Sequence, residues 1–231
     1  MARWEMSMLK HIPLMAFLGA AASSVIADQA GLTVPASLLA AAKQSPVEFA
    51  MALAYASVPS GLEIRESDDV MPSRLLEFHV DPKERLPVED LITTFNAQHR
   101  DYRAVVMRGV IVVRPVKGTL PFLDEPSPLS REVTVTGLMA AATRVFAAVD
   151  PSLTGPILDS MGRKSDEIPV RLDSRGGRTV IDTLNQIVSQ APGRTWVVTT
   201  RREHDAVKVV SFGLIEANGN RLSQGLRRDD E

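Results

Sequence analysis

The sequence predicts an α+β protein made of two tandem repeats of a small β-α-β-β-α-β-β unit, in each of which two helices pack on one face of a mixed three- to four-stranded sheet. Three observations lead there. Segments 75–108 and 167–200 align without a gap: Asp81 meets Asp173, Val88 meets Val180, Asp90 meets Asp182, and Val105-Val106 meet Val197-Val198. In both segments apolar residues first alternate with period two and then recur at helical spacing, so a strand feeds a helix. Between the copies, "PVKGTLPFLDEPSPLSR" carries prolines at 115, 121, 126 and 128, which breaks any regular element and marks a linker over 116–130.

From the N-terminus, Arg3 and Lys10 precede an apolar run from Ile12 to Ala22 that closes on Val25-Ile26-Ala27. This is the pattern of a cleavable export signal, residues 1–27, with cleavage after Ala27 and a periplasmic or secreted product. The run is shorter than the ~20 apolar residues a spanning helix needs, and no later segment reaches that length. In the first unit, 28–115, Ser45, Pro46 and Glu48 supply the N-cap, first-turn proline and capping-box partner of a helix with Val47, Ala50, Leu53 and Ala54 on one face. A short strand spans Leu62 to Ile64. Leu76, Phe78 and Val80 alternate with Glu77 and His79 as a second strand. Pro87 then opens a helix with Val88, Leu91, Ile92 and Phe95 at i, i+3, i+4 and i+7. "YRAVVMRGVIVVRP" completes the unit as a hairpin closing near Arg108-Gly109.

The second unit, 131–214, starts with an extra strand at Val133 to Val135, followed by a helix carrying Leu138, Ala141, Val145 and Val149, and then Pro156-Ile157-Leu158. Ile168, Val170 and Leu172 alternate as a strand. Thr179 and Asp182 form a capping box for a helix with Val180, Leu184, Ile187 and Val188 on its apolar stripe. "TWVVTTRREHDAVKVVSF" repeats the hairpin with a longer, charged tip, and residues 215–231 read as a polar, flexible tail.

Composition excludes several functions. With 26 basic and 28 acidic side chains the net charge is -2, which supplies no broad field for nucleic acid or anionic lipid. The absence of cysteine removes disulfides, thiolate metal sites and a cysteine nucleophile. Glu203, His204 and Asp205 are consecutive and do not converge on one ion. Gly176-Gly177 in "DSRGGRT" fits neither a Walker loop nor a dinucleotide fingerprint, and the matching loop "DPKERLP" has no glycine, so the pair marks a turn. No catalytic, cofactor-binding or metal site is expected.

The order of elements and the local phrasing, a capped helix running to "SGLEI", a "PVEDLI" helix and the "YRAVVMRGVIVVRP" hairpin, resemble the secretin and TonB-receptor short N-terminal (STN) domain over about 33–115 and again over 131–213. The second copy departs from the pattern at "VDPSLTGPILDSMGRKSDE". The resemblance implies a periplasmic module that contacts a protein partner in the cell envelope. A partner strand would add to an open sheet edge at Val110, Ile111, Val112, Val113 and Arg114, or at Val207, Lys208, Val209 and Val210, both rich in β-branched residues; alternatively the two units pack edge to edge and use up those strands. The alternatives are a small-ligand carrier or enzyme with a pocket between the units, near Phe122 and Asp124, and a purely structural envelope component.

Overall fold

The computed structural model describes residues 31–70, 81–129, 131–149, 168–173, 177–217 and 221–225. The export signal, the strand expected at 76–80, the segment 156–158 and Gly176 lie outside the described residues. Strand β1 (Thr33–Pro35) leads through a single helical turn, α1 (Leu38–Ala41), to α2 (Pro46–Tyr55) and β2 (Ser60–Arg65). Next come β3 (Arg85–Pro87), α3 (Val88–Gln98) and the hairpin of β4 (Tyr102–Met107) and β5 (Val110–Pro115). The second half runs β6 (Val133–Thr136), α4 (Leu138–Val149), β7 (Pro169–Leu172), α5 (Val180–Ser189), β8 (Arg194–Glu203), β9 (Ala206–Glu216) and β10 (Arg221–Gly225).

Local chemistry sets the helix starts. Ser45 Oγ accepts from Glu48 N–H at 3.2 Å while Glu48 Oε2 accepts from Ser45 N–H at 2.9 Å, and Pro46 occupies the first turn of α2, where its missing N–H costs nothing. Thr179 and Asp182 repeat the reciprocal pair at the head of α5. The apolar stripes fall where the spacing puts them: Val88, Leu91 and Phe95 of α3, and Val180, Leu184, Ile187 and Val188 of α5, are buried.

The strands assemble differently from the expectation. Instead of two small sheets, the two halves build one six-stranded sheet in the order β10-β9-β8-β2-β5-β4, flanked by the two-stranded ladders β1-β3 and β6-β7. β2 runs parallel to β8 on one side and to β5 on the other, and the remaining pairs are antiparallel. Strand alternation then feeds two cores. Ile111, Val113 and Val197 join α1, α2 and α3 on one face, whereas Val110, Val112, Trp196 and Val198 join α4 and α5 on the other. The layers are therefore helix, sheet, helix. Helix α2 is buried nearly all round because it lies over the junction of the halves, where its Ala50 carbonyl accepts from Thr195 Oγ1 at 3.2 Å.

Three further expectations are corrected. Segment 116–130 is no free linker: Leu120, Leu123 and Leu129 are buried, Pro121–Asp124 forms a 3-10 turn, and Val180 N–H donates to the Glu125 carbonyl at 3.0 Å. The second hairpin closes on a tight turn at His204-Asp205, with His204 left-handed at φ 54°, so the extra residues lengthen β8 and β9 rather than the tip. In the segment expected to be a flexible tail, Ile215 and Glu216 finish β9 and Arg221–Gly225 pair with it.

Gly61 controls the junction. A Cβ there would stand 1.9 Å from Trp196 Cε2, so only glycine lets the indole lie against β2. Gly61→Ala should lower stability by about 1–3 kcal/mol or more through overpacking, read as a lower urea midpoint; an unchanged midpoint would show that the indole does not lie against β2.

Candidate functional site

Of the two strands expected to offer open edges, one does not. β5 lies between β4 and β2, with Val110–Pro115 paired to Tyr102–Met107 of β4 and Ile111, Val112 and Val113 paired to Ser60, Gly61 and Leu62 of β2, so Val110, Ile111, Val112, Val113 and Arg114 form no edge. β9 is different. Its inner side pairs with β8 along Ala206–Glu216, while β10 covers only Phe212 to Ile215. The outer side of Val207, Lys208, Val209 and Val210 has no strand partner among the described residues.

Other strand borders are closed by amide side chains that imitate a neighbouring peptide. At β4 the Ala104 N–H donates to Asn96 Oδ1 at 2.8 Å and Asn96 Nδ2 donates to the Ala104 carbonyl at 3.0 Å. Beside β7, Gln186 serves Asp173 N–H and C=O in the same way at 2.8 and 2.9 Å, and Gln190 serves Arg171 at 3.0 and 2.9 Å. Such pairing satisfies the backbone groups that otherwise recruit another chain.

Next to the open stretch, a cleft of about 320 Å³ lies at the carboxyl ends of the parallel strands β5, β2 and β8, lined by Arg65, Glu66, Lys117, Thr200, Arg202 and Val207 with Arg201 beside them. Arg65 is fixed: its Nη2 donates to the Lys117 carbonyl at 3.2 Å, and its guanidinium lies 5.5 Å from the Tyr102 ring centroid. Burial pushes the Tyr102 hydroxyl above its ordinary pKa, and it donates to Asp68 at 2.7 Å. Arg201 forks onto Glu66 at 2.6 and 2.7 Å, and that hydrogen bond holds the Glu66 carboxyl below its usual range. Lys117 and Arg202 are exposed and have no carboxylate partner among the described residues, which leaves the cleft cationic. Sequence reasoning missed this set. The available signal was that "SGLEIR", "VIVVRPVK" and "WVVTTRR" each end a β-rich run in bases, which matters only once the three strands are known to be parallel neighbours.

A buried ion pair ties β2 to β5 and to the segment that follows it. Glu63, fully buried in β2, accepts from Arg114 Nε at 2.7 Å and from the Leu120 N–H, while Arg114 also forks onto Asp124 at 2.6 and 3.0 Å. Burial pushes the Glu63 carboxyl above its ordinary range, although Arg114 and the Leu120 N–H work against the rise. Burial also opposes the Arg114 charge, but the bonds and charge of Asp124 and Glu63 outweigh it and raise its pKa. No protein-family model, no curated protein and no solved structure matches this chain. It is an α+β protein with mixed sheets, and none of its helices among the described residues is long and apolar enough to cross a membrane.

Arg114→Met should cost about 3–5 kcal/mol at pH 7, because it strands a buried carboxylate, and Glu63→Gln in the same chain should recover most of the loss. The folded state of the single variant holds the Glu63 proton more tightly than the unfolded chain. Its stability should therefore rise as pH falls from 7 toward the ordinary carboxyl range, which urea titrations at several pH values would read; a flat or opposite trend would contradict the burial of Glu63.

Proposed function

We propose that this chain is an exported, non-enzymatic protein-interaction module of the cell envelope, built from two STN-like units and serving an assembly of the secretin or TonB-dependent kind. The observation that carries the reading is the contrast between borders. Asn96, Gln186 and Gln190 satisfy the backbone groups of Ala104, Asp173 and Arg171 at the borders beside them, while the outer side of β9 over Val207 to Val210 stays open among the described residues. An edge left open beside others that are sealed favours addition of a partner strand, with main-chain bonds giving affinity and side-chain pockets giving specificity. Lys117 and Arg202 next to the start of that edge favour a partner with acidic residues flanking its strand. Export rests on the basic residues and apolar run ahead of Ala27, and the tandem repeat on the parallel placement of α3 and α5, each ahead of a hairpin. A second reading, a carrier of a small anion, draws on the same cleft, because its bases come from both halves of the chain.

The turn at His204-Asp205 makes Glu203 and Ala206 the hydrogen-bonded pair, and ladder alternation turns the Val207 N–H outward. Proline at 207 thus removes an outward donor and leaves the β8 ladder intact. Affinity capture from envelope extracts of the source cells should retain a protein on the wild-type chain at least tenfold better than on Val207→Pro, with both baits folded by circular dichroism. The mature bait should have an intact mass that starts at Asp28. Equal retention by the two baits would remove β9 as the docking edge. Capture of no protein, together with a co-purifying anionic metabolite, would favour the carrier.

A further inference from the structure

At the β4-β5 turn, the end of β5 away from the first cleft, a second cleft of about 230 Å³ is lined by Arg108, Arg178, Asp182, Asn185, Gln186 and Gln190. The turn itself delivers one wall: Arg108 is left-handed at φ 50° beside Gly109, which carries its side chain from the first half of the chain to the head of α5 in the second.

The carboxylate and amide oxygens of this cleft each accept a hydrogen bond, and the Ser189 hydroxyl beside them donates to the Asn185 carbonyl. Asp182 Oδ1 takes Arg108 Nε at 3.1 Å and Oδ2 takes Thr179 N–H at 3.2 Å. Asn185 Oδ1 takes the Trp196 indole N–H at 2.8 Å, and the oxygens of Gln186 and Gln190 take the backbone N–H groups of Asp173 and Arg171. The donors are not all paired. Asn185 is 2% exposed and its Nδ2 is buried without a partner, as is Arg178 Nε. Buried donors are rarely left unpaired, so two of them at one cleft mark a missing acceptor. Charge points the same way. Asp182 offsets one of the two guanidiniums, and the second has no counter-ion among the described residues.

We propose that this cleft binds a small oxyanion, the shared chemistry of a carboxylate and a phosphate group, held by Asn185 Nδ2 and the guanidiniums of Arg178 and Arg108. The site is independent of the β9 edge. A bound oxyanion would be felt directly by the indole that shares Asn185, so Trp196 fluorescence reports occupancy.

In the full chain carrying Trp4→Phe, Trp196 is the single tryptophan. Titrated with inorganic phosphate or with acetate at constant ionic strength, its emission should change saturably. A response to phosphate alone would assign a phosphate-bearing ligand, and a response to acetate, alone or with phosphate, a carboxylate. Asn185→Asp keeps the oxygen for Trp196 and replaces the donor by an acceptor, and Arg178→Gln removes the unbalanced charge. Each should weaken binding at least tenfold, with folding checked by circular dichroism; Arg178→Gln decides the matter if Asn185→Asp fails to fold. A linear response to both probes, or saturable binding unchanged in Arg178→Gln, would overturn the proposal and leave the cleft holding water only.

Discussion

The parallel contact between β2 and β8 is the constraint from which the rest of the architecture follows. β2 is the hinge of the sheet, with a strand of each half on either side of it, and the approach is close enough that Gly61 faces the Trp196 ring with no room for a methyl group. Polar groups lock the same register: Ser60 Oγ and Thr195 Oγ1 stand 2.5 Å apart, and Thr200 Oγ1 donates to the Ile64 carbonyl at 3.3 Å. Parallel pairing needs both sheet faces covered. Here the helices of the first half cover one face, while α4, α5 and Leu120, Leu123 and Leu129 cover the other. Fixing the register also aligns the carboxyl ends of β5, β2 and β8, which is what creates the cationic cleft.

Helix stripes and caps were legible because their causes are local. The stripe of Val88, Leu91 and Phe95 and the Ser45/Glu48 and Thr179/Asp182 boxes require only neighbours along the chain, and the structure contains them as read. The joining of strands was not legible. Pairing between Ser60 and Thr195 leaves no periodic trace, so two units with separate sheets fitted the apolar pattern as well as one shared sheet. Glu63 sits between Leu62 and Ile64 as a solvent-facing residue would, but the sheet face that carries it is covered in the fold, with the Leu120 N–H folded back onto its carboxylate. Asn96, Gln186 and Gln190 look like an ordinary polar helix surface until the strand beside each is known.

The same amides connect fold to function. Asn96 satisfies the outward backbone groups of Ala104 beside β4, and Gln186 and Gln190 those of Asp173 and Arg171 beside β7, whereas the outer stretch of β9 over Val207 to Val210 has no strand partner among the described residues. Engaging those glutamines on backbone has a second consequence, since it leaves the cleft around Asn185 without free amide oxygens while Asn185 Nδ2 and Arg178 Nε stay unpaired. Edge sealing on one side and donor excess on the other are thus two results of one arrangement on α5.

The shared sheet is tested most directly by a cross-link between its halves, and the chain is suited to it because it contains no cysteine. Ser60→Cys with Thr195→Cys places two thiols at facing positions of β2 and β8 in the fold's interior. Mild oxidation should give an intramolecular disulfide in nearly all molecules, detected as a mass loss of about two hydrogens in a monomer. Two thiols that stay free in a folded monomer, or that pair only between molecules, would contradict the shared sheet.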